Sequence, residues 1–337
     1  SQAKMRSAKA AAKAIVKKQV EVELPPHVIK ARASFAYFCE MMGKKPARHM
    51  REWHKVFLTG NSNDHLLDIA GPNTCLLSPR GSAKSTVLGL LLGWLIGRHA
   101  LAKKLLRILY VSYNVDVARN KSAAIKNLIC SKEYQEIFPC VRLSKMRTSD
   151  ELWSIDWDFA EVDIRGEDAF TVACAGLKGT ITSKRSSLIV VDDAIKSAAS
   201  IANPDIRREM ETNWTNVIVP TMFQGARAIA LGTRFHFDDL FATIFTEKKG
   251  WKCITQSALH YDDDGRPKSY WPEMWSAKYL LKLQADDRVA FSYQYLNQPV
   301  RSTELGISPE LFVKAEVPEE YDTIGVGIDL SAGMSER

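Results

Sequence analysis

The sequence predicts an α/β fold in which helices flank a mostly parallel central sheet. Residues 76–96 pass from an apolar strand through a turn of small residues into an apolar helix. Residues 188–191 are a continuous apolar, β-branched run that ends in two aspartates. Such a run is typical of a strand buried on both faces in the middle of a parallel sheet. Strands and helices alternate along this part of the chain, which indicates βαβ units with right-handed crossovers.

The predicted elements follow one another at regular intervals. Residues 27–72 have the pattern of helices and carry several aromatic side chains. The apolar helix after the turn is predicted over 87–96. The later elements are strands over 106–112, 170–175, 187–191 and 227–234, with helices over 115–130 and 204–219.

Changes in composition divide the chain into five predicted parts. Residues 1–26 form a basic arm that either lies on nucleic acid as a helix or remains solvated. A single core over 27–257 contains the predicted sheet. Residues 258–300 lose the periodicity and are predicted to form a small lid subdomain. A linker over 301–320 precedes 321–337, which starts a new strand and reaches a carboxylate at Asp329.

Composition and charge narrow the class of protein. The chain has 337 residues, 46% of them apolar, with a net charge of +7. A basic excess suits a polyanionic partner. Six cysteines show no metal-binding spacing, which points to a reducing cytoplasm. No signal peptide is recognisable, and the longest apolar run is too short to cross a bilayer.

The turn after the first strand has the layout of a phosphate-binding loop. In such a loop, backbone N–H groups at a helix N-terminus hold phosphates, a lysine neutralises the β and γ oxygens, and a hydroxyl binds Mg²⁺. The usual template has glycine at positions 78 and 83, so a simple turn of small residues remains an alternative. The predicted contact residues are Ser78, Pro79, Arg80, Gly81, Ser82, Ala83, Lys84, Ser85 and Thr86.

Two carboxylates at the end of the 187–191 strand predict the second part of the site. Ligands of open α/β sheets bind at the carboxyl ends of the strands. Adjacent acids repel one another unless a cation or a catalytic task retains them. Asp192 is predicted to hold Mg²⁺ through water, and Asp193 to orient the attacking water. The alternative is a strand that runs into an acidic surface turn.

Thr233 and several arginines complete the predicted site. Thr233 lies near the end of the 227–234 strand and is predicted to contact the γ-phosphate or its water. Arg80 either reaches the γ-phosphate or forms a surface salt bridge. Arg185 is the candidate for an arginine finger supplied to a neighbouring subunit, with Lys184 and Arg234 as further candidates; a solvated charge at the strand entry is the alternative.

Upstream of the loop, His49 and Trp53 are candidates for contact with the adenine base. Packing of the same segment as an ordinary helix remains an alternative.

These motifs, in this order, are typical of RecA-like P-loop ATPases, and their details resemble the large subunit of tailed-bacteriophage terminases. The similarity covers about residues 30–337. The segments that carry it are SPRGSAKS at 78–85, SYN at 112–114, GTRFHFDDL at 232–240, YWPEMW at 270–275, FSYQYLNQPV at 291–300 and GID at 327–329.

The resemblance implies a motor that uses ATP and Mg²⁺ to move double-stranded DNA through a portal into a procapsid. It further implies a small terminase subunit as partner, a homo-oligomeric ring expected to be a pentamer, and the cytoplasm of an infected bacterium. In such proteins an RNase H-like nuclease domain would begin near Asp329, a ligand for Mg²⁺ or Mn²⁺. We expect endonuclease activity only in the full-length protein, because one acid cannot assemble a two-metal site.

The sequence departs from the family pattern at one position, and two other functions are alternatives. The family usually has Glu where Asp193 stands. We therefore expect slow ATP hydrolysis until neighbouring subunits close the site. A helicase or another P-loop nucleic-acid translocase is one alternative, although a helicase needs a second RecA-like domain. The other is a non-catalytic assembly protein whose altered loop only binds nucleotide.

Overall fold

The computed structural model describes residues 24–57, 72–156, 170–179, 181, 184–246 and 250–300. All of them belong to the compact unit Ser1–Val300. The basic arm up to residue 23, the linker over 301–320 and the strand with Asp329 lie outside the described residues, so these predictions stay predictions.

Helices and strands follow the predicted alternation. The helices are α1 Pro26–Ala33, α2 Phe35–Met41, α3 Arg51–Phe57, α4 Lys84–Leu101, α5 Val115–Cys130, α6 Lys132–Ile137, α7 Pro204–Asn213, α8 Ala277–Asp286 and α9 Arg288–Tyr295. The strands are β1 Asn73–Leu77, β2 Ile108–Ser112, β3 Leu143–Thr148, β4 Leu152–Ile155, β5 Val172–Gly176, β6 Ser186–Asp192, β7 Met222–Gly232, β8 Trp251–Thr255, β9 Leu259–Tyr261 and β10 Pro267–Ser269.

Eight strands form one sheet in the order β3-β4-β5-β2-β6-β7-β1-β8. Each of the six strands β5-β2-β6-β7-β1-β8 is parallel to its neighbours within this group, whereas β3–β4 and β4–β5 are antiparallel pairs. The predicted mostly parallel sheet is therefore confirmed. Strand β7 separates β1 from β6, and Leu77 pairs with Gly232 while Asp192 pairs with Leu231. The three motif strands consequently end side by side at one edge of the sheet.

The hydrophobic core lies on both faces of this sheet. In β6, Leu188 and Val190 pack into the cluster around α4, and Ile189 and Val191 pack into the cluster on the opposite face. Burial on both faces is the reason why residues 188–191 of this strand are all apolar. Helix α4 is apolar for the same reason, because nearly its whole length is buried.

Three elements differ most from their predicted limits. Helix α4 begins at Lys84 because Lys-Ser-Thr forms its first turn. The helix predicted over 204–219 changes at Trp214 into a π-helical turn, which brings Trp214 and Ile218 into the core ahead of Pro220. Strand β7 starts at Met222, five residues before the apolar run, since its first part is a more exposed extension with a polar residue and a glycine.

Residues 258–300 contain the β9–β10 hairpin and helices α8 and α9. They have a small core of their own, formed by Ala258, Leu259, Leu280 and Phe291. Their role as a lid stays a prediction. Within the described part of the chain, none of the helices has the length and apolar character needed to span a membrane.

Candidate functional site

The loop between β1 and α4 turns twice through left-handed backbone conformations. Gly81 has φ +74° and Ala83 has φ +65°. Ala83 is the residue directly before α4 and occupies one of the two positions where the template has glycine. A left-handed conformation costs a non-glycine residue about 1–2 kcal/mol. The loop is thus a tight turn that leads into α4, and the alanine adds local strain.

Lys84 lies at the centre of the site and is almost fully buried, with 6% of its surface exposed. Its Nζ is 3.4 Å from Asp193 Oδ1 and donates a hydrogen bond of 3.4 Å to Thr233 Oγ1. Thr233 Oγ1 in turn donates to the carbonyl of Ser78 at 3.3 Å. The structure therefore brings together the lysine, one acid and the hydroxyl that the sequence predicted.

Asp192 is buried and accepts two hydrogen bonds. Ser85 Oγ donates to Oδ1 at 3.0 Å, and Tyr110 OH donates to Oδ2 at 2.7 Å. Burial and the nearby charge of Asp193 raise the pKa of Asp192 to about 6. Burial also raises the pKa of Tyr110 well above its usual value, so this phenol remains a donor. Asp193 has φ +48°, and that turn directs its more exposed carboxylate toward Lys84.

Tyr110 was missed in the sequence because it is one residue of an apolar run. Its only signal is a hydroxyl inside β2, the strand next to β6. A partner for a buried aspartate can be recognised only when the strand order is known.

The oxygen atoms of Ser85 and Asp192 fit a magnesium ion. Mg²⁺ prefers oxygen ligands and is usually bound by one or two protein groups together with substrate phosphates. Among the described residues, no group of three His, Cys, Asp or Glu side chains could hold a metal ion alone. A site of this kind therefore needs the phosphates to complete it.

Two of the predicted arginines, Arg80 and Arg185, lie at different places. Arg80 is exposed in the loop, and its backbone N–H donates to the carbonyl of Gln294 at 3.0 Å. Arg185 is exposed directly before β6. Seven strand residues put it roughly 20 Å from the carboxyl end of that strand. Arg185 therefore does not reach the site of its own chain, which leaves a role in a neighbouring subunit or a solvated charge at the strand entry.

The contact predicted for Trp53 needs correction. Trp53 has no exposed surface, and its Nε1 donates to Gln256 Oε1 at 2.8 Å. A ring enclosed by protein cannot stack on a base. His49 is also buried; its Nε2 donates to the carbonyl of Ser82 at 3.2 Å, and burial lowers its pKa. Both residues support the loop from the protein side, as the packed-helix alternative anticipated.

Two neighbouring cavities border the start of α4. One, of about 360 Å³, is lined by the 43–46 turn, Met50, Ala83, Thr86 and Trp271. The other, of about 270 Å³, adjoins Ser85, Tyr110 and Lys121. Their lining includes residues far apart in sequence, which explains why the sequence did not reveal them.

Segment 258–300 covers the outer side of the loop. A methyl group added to Gly81 would lie 2.8 Å from Trp275 Cζ2. The Nε1 of Trp275 is buried and has no hydrogen-bond partner among the described residues. The ring of Tyr270 packs on His49, with ring centroids 4.9 Å apart. Trp275 and Tyr270 therefore place this segment against the loop and against His49.

No family model matches the sequence, and no similar sequence is found among curated proteins. The fold is similar to solved structures of bacteriophage large terminases. The large terminase ATPase domain of Thermus phage P74-26 is 13% identical, with a TM-score of 0.46 and coverage of 78% of this chain and 97% of that one. The large terminase of bacteriophage HK97 is 14% identical, with a TM-score of 0.45 and coverage of 81% and 55%.

Dbp5 of S. cerevisiae bound to RNA and ADP BeF3 is 11% identical, with a TM-score of 0.36 and coverage of 71% and 51%. The chain thus spans nearly all of the P74-26 domain and about half of the HK97 and Dbp5 chains. These likenesses concern the fold alone.

Proposed function

We propose that this chain binds ATP with Mg²⁺ and hydrolyses it. One observation carries the proposal: Lys84, Ser85, Asp192, Asp193 and Thr233 meet at the carboxyl ends of three adjacent strands. Ligands of open α/β sheets bind at this edge. A glycine-containing turn before a long helix adds backbone donors for phosphate. The alternative, an acidic turn at the protein surface, would not enclose a lysine.

The residues divide the work of phosphoryl transfer between them. Lys84 neutralises the β and γ oxygens, and its contact with Asp193 is exchanged for phosphate when nucleotide binds. Ser85 and Asp192 hold Mg²⁺, which shields the phosphate charges. Asp193, with 42% of its side chain exposed, orients the attacking water. Positioning and charge stabilisation dominate this chemistry, so few groups suffice.

The base of the nucleotide is assigned to the cavity beside Ala83, Thr86 and Trp271. It borders the first turn of α4, directly next to the phosphate loop. Its volume of about 360 Å³ falls within the usual range of small-molecule sites. This cavity replaces the direct contact predicted for Trp53.

The wider proposal is a terminase-type packaging motor that moves double-stranded DNA into a procapsid in the cytoplasm of an infected bacterium. The terminase-like motifs and the net charge of +7 support it. The proposed partners are the portal, a small terminase subunit and copies of this chain in a pentameric ring. Endonuclease activity is proposed only for the full-length protein, with Asp329 as one ligand of Mg²⁺ or Mn²⁺.

Steady-state ATP hydrolysis tests the proposal. A charge-assisted phosphate contact contributes about 1.5–3 kcal/mol, so Lys84→Ala should reduce turnover at least tenfold. Lys126, which pairs with Asp150 on the surface, supplies the matched control Lys126→Ala, which should keep wild-type turnover. Equal turnover in wild type and Lys84→Ala would contradict the proposal. Nucleotide binding without any turnover would favour the non-catalytic assembly protein.

Two further assays separate the finer parts. Double-stranded DNA should bind through its phosphates, with affinity that falls steeply with salt, and a packaging motor should not displace a strand. If Arg185 acts on a neighbour's site, mixing Arg185→Ala with Lys84→Ala subunits should recover ATP hydrolysis. No recovery at any ratio removes Arg185 from that role.

A further inference from the structure

The side-chain carboxamide of Gln256, outside the predicted motifs, is hydrogen-bonded to the start of the phosphate-binding loop. Gln256 directly follows β8 and is half-buried. Its Oε1 accepts hydrogen bonds from Trp53 Nε1 at 2.8 Å and from Ser78 Oγ at 3.2 Å. Its Nε2 donates to the carbonyl of His49 at 2.9 Å. One side chain therefore connects the loop to the helical segment in front of it.

The backbone of Gln256 makes a second set of bonds. Its N–H donates to the carbonyl of Leu77 at 2.8 Å, and its carbonyl accepts from Asn297 Nδ2 at 2.8 Å. Asn297 is buried, with 4% of its surface exposed, and its Oδ1 accepts from the N–H of Arg234 at 3.0 Å. Through Asn297, the end of β1 and the end of β7 are held to a common point.

These two strand ends carry groups that face each other in the site. The carbonyl of Ser78 accepts from Thr233 Oγ1, which itself accepts from Lys84 Nζ. We propose that Gln256 is a positioning residue of the nucleotide site, because its side chain fixes Ser78 at the start of the loop. Asn297 holds the backbone of Gln256 to Arg234, at the end of β7. This inference rests on the proposed function.

The chemistry of the position requires a carboxamide. Gln256 accepts two hydrogen bonds on one atom and donates on the other. A glutamate would keep the acceptors, but it would set a carboxylate oxygen against the carbonyl of His49 and bring negative charge toward the phosphates. A leucine would leave Trp53 Nε1 and Ser78 Oγ without their acceptor. Unpaired buried donors are costly, so the loop would shift to satisfy them.

Calorimetric titration of ADP with Mg²⁺ tests the proposal in a double-mutant cycle. Gln256→Leu and Ser78→Ala should each weaken binding about tenfold, the size expected for loss of a buried hydrogen bond. The double variant should be no weaker than Gln256→Leu alone, because both changes break the same link. Gln135→Leu is the matched control: Gln135 Nε2 donates to the carbonyls of Ile129 and Val141 at 2.8 and 3.0 Å. It should lower the Tm and leave ADP affinity unchanged.

The outcomes separate the two proposals. A wild-type protein that does not bind ADP overturns the proposed function and the inference with it. Wild-type binding, with Gln256→Leu equally tight or with effects that add in the double variant, overturns the inference alone. If Gln256→Leu does not fold, Gln256→Glu replaces it and should also bind ADP about tenfold more weakly; unchanged affinity would count against a positioning role.

Discussion

The sheet edge that carries the candidate site and the segment 258–300 that covers it are built differently. At the edge, parallel strands with a core on both faces hold Lys84, Asp192 and Thr233 in buried positions. The covering segment has a core of only four buried residues and contacts the loop through Trp275 and backbone atoms. Extensive packing suits groups that must be held in fixed geometry, whereas a lightly packed segment suits control of access.

The largest expected effect concerns chemistry at the sheet edge. Asp193→Asn should lower ATP turnover about 10²-fold or more, because the amide cannot act as a base toward water. Asparagine tolerates the left-handed backbone at this position, φ +48°, so the fold should persist. Hydrolysis rates and ADP affinity should be measured together, since affinity should change little.

Asp150→Asn provides the matched control for that change, because Asp150 pairs with Lys126 on the surface. It should leave turnover unaltered. Undiminished turnover in Asp193→Asn would assign the water-orienting role to another group.

The second prediction tests the contact between the two regions. Gly81→Ala should reduce the free energy of unfolding by about 2 kcal/mol or more, since φ is +74° and the new methyl group would meet Trp275. Gly265→Ala, at φ +73° with open space around it, should cost only about 1 kcal/mol. Urea denaturation measures both values.

In a Trp275→Ala background, Gly81→Ala should cost no more than Gly265→Ala. A penalty that persists there would show that Trp275 does not press on the loop.

The third prediction concerns the loop alone. Ala83→Gly should increase the free energy of unfolding by about 1 kcal/mol, because glycine adopts φ +65° without strain. ADP affinity should be retained or improved. A loss of stability in denaturant titrations would mean that the alanine is not strained in solution.

The smallest effect concerns His49, where the two regions meet. Burial lowers its pKa in the folded protein, so its contribution to stability is present above its ordinary pKa of about 6.5 and is lost as the pH falls. Between pH 7 and 5, the free energy of unfolding should therefore fall more steeply in wild type than in His49→Gln. His99, whose pKa burial lowers to about 4, contributes equally to both proteins. Parallel slopes would exclude a role for His49.

The sequence predicts the sheet edge well because its determinants are local. Apolar runs that end in Asp192 and in Gly-Thr, and a turn that leads into Lys84, identify strands whose carboxyl ends share an edge in any parallel sheet. The mostly parallel arrangement follows from the same alternation of elements. The limits of elements are predicted less well, as in β7, whose first five residues include Gln224 and Gly225 and are less buried than the rest of the strand.

Residues whose roles depend on neighbours distant in sequence were not found or were misassigned. Tyr110 and Gln256 each reach the site from an element without a recognisable motif. Trp53 is a residue type that can contact a nucleotide base, and only the packing of the folded chain shows that it belongs to the core.

The most direct test of the site is equilibrium binding of a non-hydrolysable ATP analogue, with and without Mg²⁺. Wild type should bind, and Mg²⁺ should strengthen its binding. Lys84→Ala should lose most of its affinity, and Asp192→Asn should bind equally with and without the metal, because both side chains act on one magnesium-bound triphosphate. If the three proteins bind alike and respond alike to Mg²⁺, Lys84 and Asp192 do not form a nucleotide site.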